Sequence, residues 1–239
     1  MALSVPLSRF TSRVGGGSAF FVRRPEHAMN RKICSDDMFS FLWRFTVNSV
    51  LVWSILGVYM VINNHPPGSP TLLTMPSWVP FWPAFTLPYF GLLWITWVLP
   101  LAIRNVRRFF ACWFGMLFAY SLAVTLFVLF PTTLPRPPVP HGWWAGLYRG
   151  LAAIDPPNNV MPAAHGIGPV VAAWFTVRDR PTWRWPLIGM LVLGLPSIAL
   201  VWQHRPIDIV LGIVAAAIGI AIGEALSRRE WAWLCKKCK

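Results

Sequence analysis

The chain has 239 residues, 56% of them hydrophobic and 12% charged, with a formal net charge of +13 and a mean hydropathy of +0.53. Soluble domains carry roughly twice that share of charge, so the composition excludes water as the main solvent and points to a bilayer. The positive charge could suggest a nucleic-acid surface, but Lys and Arg stand in short clusters between long apolar runs instead of along one soluble face, so the charge reads as membrane topology.

In chain order, residues 1–38 hold Arg9, Arg13, Arg23, Arg24, Arg31 and Lys32 around a Gly-rich stretch, without an apolar core of signal-peptide length. They read as a basic, disordered cytoplasmic tail; an Arg- and Ser-rich, acid-poor start is also what an organellar transit peptide looks like, and Met29 is a second candidate start. A spanning helix needs about 20 mostly apolar residues, because lipid offers no partner to backbone groups. Six stretches qualify, near residues 39–63, 84–103, 109–131, 160–177, 186–203 and 207–226. The expected fold is therefore an all-α integral membrane protein, a six-helix bundle over 39–226. A basic cytoplasmic C-terminal tail over 227–239 contains Cys235 and Cys238. Their CxxC spacing lacks a second pair or a neighbouring His, and with Cys34 and Cys112 isolated there is no disulfide framework.

Charge sets the orientation. All but three of the 21 Lys and Arg residues fall on one side of a six-span arrangement, and only Arg136, Arg149 and Arg205 fall on the other. Because cytoplasmic connections retain positive charge, both termini are expected in the cytoplasm. The connection from Asn64 to Pro83 is uncharged and rich in Pro and Trp; it either lies on the outer interface or caps a site. No repeat of 20 to 50 residues is present, which removes support for a solenoid or an inverted-repeat transporter.

With that topology several polar features meet at the outer face: Arg136 after the third span, Asp155 to His165 entering the fourth, and His204 with Asp208 entering the sixth. On a helix, residues four apart share a face, so the Asp208 carboxylate is expected to hold the His204 imidazole in one tautomer. Helices four and six both begin there, presenting positive dipole ends and free amides, such as those of Ala164 and Gly166, to an anion. Two imidazoles, a carboxylate and an arginine are what metal-free phosphoryl transfer uses: a nucleophile, its orienting acid, a proton donor and an oxyanion clamp. For each residue taken singly an interfacial helix cap, a headgroup anchor or a packing role is sufficient. His27, His65 and His141 have no partner in spacing, and Glu224 has one in Arg228 at i+4.

The blocks Phe130-Pro-Thr-Thr-Leu-Pro-Arg136-Pro, Asn159-Val-Met-Pro-Ala-Ala-His165 and Gln203-His204-Arg-Pro-Ile-Asp208-Ile-Val-Leu-Gly212 resemble the three motifs of the type 2 phosphatidic acid phosphatase superfamily, in the family order. They are most similar to its inositol phosphorylceramide synthase branch, whose second block reads Asn-x-Phe-Pro-Ser-Leu-His and third Gln-His-Tyr-x-x-Asp. The resemblance covers roughly residues 125–215. It implies His204 as the nucleophile that becomes phosphorylated, Asp208 as its support, His165 as the general acid and Arg136 as a phosphate ligand, with no metal or cofactor. Three positions depart from the pattern. Ala163 stands where a Ser hydroxyl would reach phosphate, a loss of about 1–3 kcal/mol in transition-state binding. Leu129 replaces a first-block Lys, and Ile198 a third-block Arg that the synthase branch often lacks; Arg205, at a usually aromatic position, is the candidate compensation.

The expected function is cleavage or transfer of a lipid phosphate or diphosphate at the extracytoplasmic face of a membrane, the bacterial inner membrane being the expected one, with membrane lipids as partners and no nucleic acid. The alternative is a weakly active or inactive relative that binds phospholipid headgroups or scaffolds other proteins, which Ala163 favours.

Overall fold

The computed structural model describes residues 41–139 and 141–237, with side chains as far as Arg228. The tail expected over 1–38 lies outside the described residues, as do the side chains of 229–239. Among the described residues seven helices follow in order: α1 (Phe41–Asn64), α2 (Thr86–Ala102), α3 (Val106–Leu129), α4 (Trp143–Ile154), α5 (Ala164–Asp179), α6 (Arg184–Leu200) and α7 (Pro206–Lys237). Short 3-10 turns, Pro83–Phe85 and Pro181–Trp183, lead into α2 and α6. Five segments, Phe41–Asn64, Pro83–Ala102, Val106–Leu129, Pro181–Leu200 and Pro206–Arg228, are long and apolar enough to cross a membrane. The chain is a mostly helical integral membrane protein.

Helix ends follow local chemistry. Proline occupies the first turn leading into α2, the turn before α6 and the first position of α7, where its missing N–H is no loss. Asn105 caps α3, its side chain accepting from the Arg108 amide at 3.0 Å. The helix expected to open at residue 160 opens at Ala164, because a residue preceding proline is driven out of the helical region and Met161 precedes Pro162. The resulting α5 has 16 residues, ten of them buried, and packs against α2, α3, α6 and α7. Its irregular lead-in, Val160–Ala163, is buried or half-buried in protein, the setting in which non-helical backbone is tolerated at membrane depth.

The closest packing joins α3 to α7. A β-carbon at Gly115 would stand 3.0 Å from the Gly219 carbonyl oxygen, and one at Gly223 would strike the Ala111 carbonyl, so the two backbones touch through small residues. In lipid, where apolar side chains gain little by leaving their solvent, such close van der Waals contact is a main source of helix association.

Two features lie outside the expected bundle. The 12-residue α4 is too short to span and buries Ala145, Tyr148 and Leu151 at three-residue spacing. A two-residue parallel ribbon, β1 (Thr71–Leu72) with β2 (Thr132–Thr133), adds extended structure to the helical expectation. It ties down the uncharged connection, whose Trp82 amide also donates to the Leu200 carbonyl at 2.8 Å. That connection therefore caps one end of the bundle.

Candidate active site

The capped end is assembled from all three sequence blocks. The first and second are stitched by backbone bonds: the Asn159 amide donates to the Thr132 carbonyl (2.7 Å) and Leu134 to Pro157 (2.9 Å), while the Thr132 hydroxyl accepts from the Val160 amide at 3.0 Å. Asn159 takes a left-handed φ of 53°, which Asn tolerates better than most residues. The third block follows a turn at Trp202, whose φ of 54° is a conformation that bulky side chains rarely adopt. Strain of this kind costs on the order of 1–3 kcal/mol and persists where surrounding bonds over-determine it. Here the Trp202 amide donates to Ala199 and the Gln203 amide to Ile198, at 2.9 and 3.1 Å. The turn delivers His204 into the protein.

His204 and His165 meet there. Nδ1 of His165 lies 3.0 Å from Nε2 of His204, and the rings are 5.3 Å apart. Nδ1 of His204 is 2.5 Å from the Val160 carbonyl oxygen, which can only accept. That contact puts the His204 proton on Nδ1 and leaves a lone pair on Nε2, facing His165. Burial, reinforced by the neighbouring His165, holds the His204 pKa below its usual value and so favours the neutral ring.

The carboxylate nearest the pair is Asp155, not Asp208. Asp155 Oδ2 is 3.7 Å from His165 Nε2, and Oδ1 accepts from the Tyr59 hydroxyl and the Asn63 amide, each at 2.8 Å. Burial pushes the Asp155 carboxyl above the ordinary carboxylate range. Asp208 accepts instead from the Arg205 backbone N–H at 2.9 Å and from its guanidinium at 3.0 and 2.8 Å. The expected shared helix face of His204 and Asp208 fails because α7 begins at Pro206, so His204 precedes the helix and Asp208 reaches back over its first turn as a capping acid. The same contact pairs the charge of Arg205, the candidate compensating residue, with Asp208. Gly166 is likewise engaged, its amide donating to the Ala163 carbonyl at 3.1 Å. Ala163 is held by its own amide on the Asp208 carbonyl at 2.9 Å, and Ala164 opens α5 beside His165.

Arg136 supplies the free positive charge. One terminal nitrogen donates to the Asp155 carbonyl and, at 2.8 Å, to the Gln203 side chain. Its Nε and Nη1 are buried without a partner, as are Gln203 Nε2 and the Tyr148 hydroxyl. Buried donors are ordinarily satisfied, and each one left open costs about 1–3 kcal/mol, more for a charged group. Among the described residues no group of three or more His, Cys, Asp or Glu is disposed to hold a metal ion.

An apolar cavity of about 370 Å³ runs between α1, α2 and α3, walled by residues such as Trp53, Leu56, Phe90, Trp94 and Phe127, and ends on Ala164 and His165. Tyr59 and Tyr89 stand against the His165 ring, at 5.7 and 5.4 Å between centroids. Of the residues singled out from sequence, His165, His204 and Arg136 come together, whereas His65 and His141 lie exposed. Tyr59, Asn63, Tyr89 and Tyr148 were not anticipated. The legible signal was Tyr59 and Asn63, four apart on an apolar helix, where a polar face marks the bundle interior. Comparisons with protein-family models, with curated proteins and with solved structures found no match for this chain.

Proposed function

We propose that the chain is a membrane lipid phosphatase or phosphotransferase of the type 2 phosphatidic acid phosphatase kind, acting on a lipid phosphate or diphosphate through a phosphohistidine. In this reading six segments span, both termini are cytoplasmic and the histidines lie at the extracytoplasmic face. The observation that carries it is the set of buried, unpartnered donors on Arg136, Gln203 and Tyr148 in the same buried cluster as a His pair whose lone-pair nitrogen is defined. An anion with several oxygens satisfies such donors. The apolar cavity ending on His165 suits the hydrocarbon part of the same molecule.

In the reaction, phosphorus enters between the two facing nitrogens. His204 Nε2 attacks, the P–N bond forms as the P–O bond to the leaving group breaks, and His165 Nδ1–H protonates the departing oxygen. Asp155 stabilises the His165 cation through Nε2. Water or an acceptor alcohol then attacks phosphorus, giving its proton to His165 as the P–N bond breaks. Arg136 neutralises the equatorial oxygens.

Phosphate release by the purified full chain in detergent, with EDTA present, tests this across lipid phosphates and diphosphates. Release that His204→Ala abolishes supports it; release that persists in His204→Ala overturns the phosphohistidine. One contact favours the second reading, a headgroup-binding protein without turnover: the His165–His204 bond closes the reacting atoms on each other, and Ala163 has no hydroxyl to help part them. That reading expects phosphate ligands to bind while wild type and variant are equally silent.

A further inference from the structure

The opposite end of the bundle holds a second polar concentration. A pocket of about 260 Å³ lies where the start of α3, the last turn of α5 and α7 converge, lined by Asn105, Arg107, Arg108, Arg178, Glu224 and Arg228 with Ala111 and Phe175 on its apolar side. Along α5, Arg178 lies thirteen residues from His165, about 20 Å at the helical rise, so this pocket and the histidine site lie at opposite ends of the bundle.

The acids at this end are already matched. Glu224 accepts from Arg178 at 2.5 Å, from Arg228 at 3.0 Å and from the Trp174 indole at 3.3 Å. Asp179 accepts from Arg108 at 3.1 Å and from the Arg104 backbone amide at 2.9 Å. Four guanidinium groups against these two carboxylates leave two positive charges over. Arg107 is the open one, with no hydrogen bond or ion pair among the described residues, and the positive end of the α3 dipole adds to it. Three tryptophans, Trp174, Trp183 and Trp185, carry arginine cations over their rings at this end, at 4.5, 5.6 and 4.8 Å. Such amphipathic rings sit at headgroup depth. A topological charge needs only to stay on its side of the membrane. Here the cations share one cavity, whose carboxylate, Glu224, is occupied, while Asp179 beside it is paired with Arg108.

We propose that this pocket binds the phosphate of an anionic phospholipid in the leaflet opposite the histidine site. The lipid source follows from position: the Trp–Arg pairs at Trp174, Trp183 and Trp185 mark this end as headgroup depth, and basic pockets between spanning helices take anionic headgroups. The inference stands apart from the phosphatase reading.

Native mass spectrometry of the full chain in a neutral detergent tests it, with phosphatidylglycerol and phosphatidylcholine of identical acyl chains as probes. Phosphatidylglycerol is expected to bind in preference, and Arg107→Gln to weaken it about fivefold, with phosphatidylcholine unchanged. His204→Ala is expected to leave this preference intact, locating it away from the histidines. Equal binding of the two lipids by the wild type overturns the proposal without reference to any variant. So does an unchanged preference in Arg107→Gln. Displacement of phosphatidylglycerol by millimolar inorganic phosphate overturns the lipid source and assigns the pocket to a free anion.

Discussion

The two ends of the helix bundle use the same residue types in opposite ways. At the histidine end the ionisable groups are sealed, with relative exposures of 2% for His204, 6% for Asp155 and 0% for Asp208, and donors of Arg136 are left open. At the arginine end the side chains of Arg108, Arg178 and Arg228 are 44%, 49% and 66% exposed, Arg108 paired with Asp179 and the other two sharing Glu224. Most of the charge is at the second end, yet exposed pairs there contribute about 0–1 kcal/mol each. The first end has little charge and a low-dielectric setting in which one unpaired guanidinium or one misplaced proton decides what binds. Burial, more than charge count, separates the two ends.

Asp155 offers the sharpest way to break that comparison. In Asp155→Asn the amide oxygen still accepts from Tyr59 and Asn63, but an N–H now points at His165 Nε2 and cannot support its cation. On the phosphohistidine reading, EDTA-resistant phosphate release is expected to fall about 100-fold or more, the usual scale of a general-acid contribution, with the apparent unfolding temperature nearly unchanged. Asp155→Ala is expected to lose both, because it strands the buried Tyr59 and Asn63 donors at about 1–3 kcal/mol each. An Asn variant with full activity would return Asp155 to a purely structural role.

A second, smaller effect is the response to pH. The folded pKa of His204 lies below the unfolded 6.5, at about 4, so its contribution to stability is complete above 6.5 and is lost as pH falls through the window from 6.5 to about 4. Asp155, shifted upward, acts in the opposite direction. Comparing wild type with His204→Asn, whose amide can keep the donor to Val160, isolates the histidine. The unfolding temperature of the wild type should drop more across that window than that of the variant; parallel curves would show that His204 is not buried as a neutral ring.

Much of the histidine end could be read from the chain, because helix parity and the positive-inside bias put Arg136, His165 and His204 at one face before any contact was known. What could not be read depended on where helices begin. The i,i+4 argument for His204 and Asp208 presupposed a helix that starts only at Pro206, and the turn at Trp202 has no local sequence cue. Tyr59 and Asn63 reach Asp155 across more than ninety residues, a pairing that periodicity within one helix cannot supply. α4 escaped because twelve residues are too few to span. The α3–α7 seam was not anticipated: it joins Gly219 and Gly223 to Gly115 and Ala111, more than a hundred residues apart, a pairing that no local pattern supplies.

The smallest expected effect sharpens the comparison from the other side. Glu224 joins Arg178 and Arg228 and takes the Trp174 indole, so it has as many partners as Asp155. It differs in being at the wet end. Glu224→Gln keeps the shape and an acceptor oxygen while removing the charge, and screening by water and salt limits the loss to about 1 kcal/mol or less. The apparent unfolding temperature in detergent should therefore shift little, and less still at high salt, while phosphate release stays at the wild-type level. If the Gln variant unfolded as readily as Asp155→Ala, the Arg178–Glu224–Arg228 cluster would have to be shielded from water in the membrane. The two ends would then differ in their chemistry but not in their solvent.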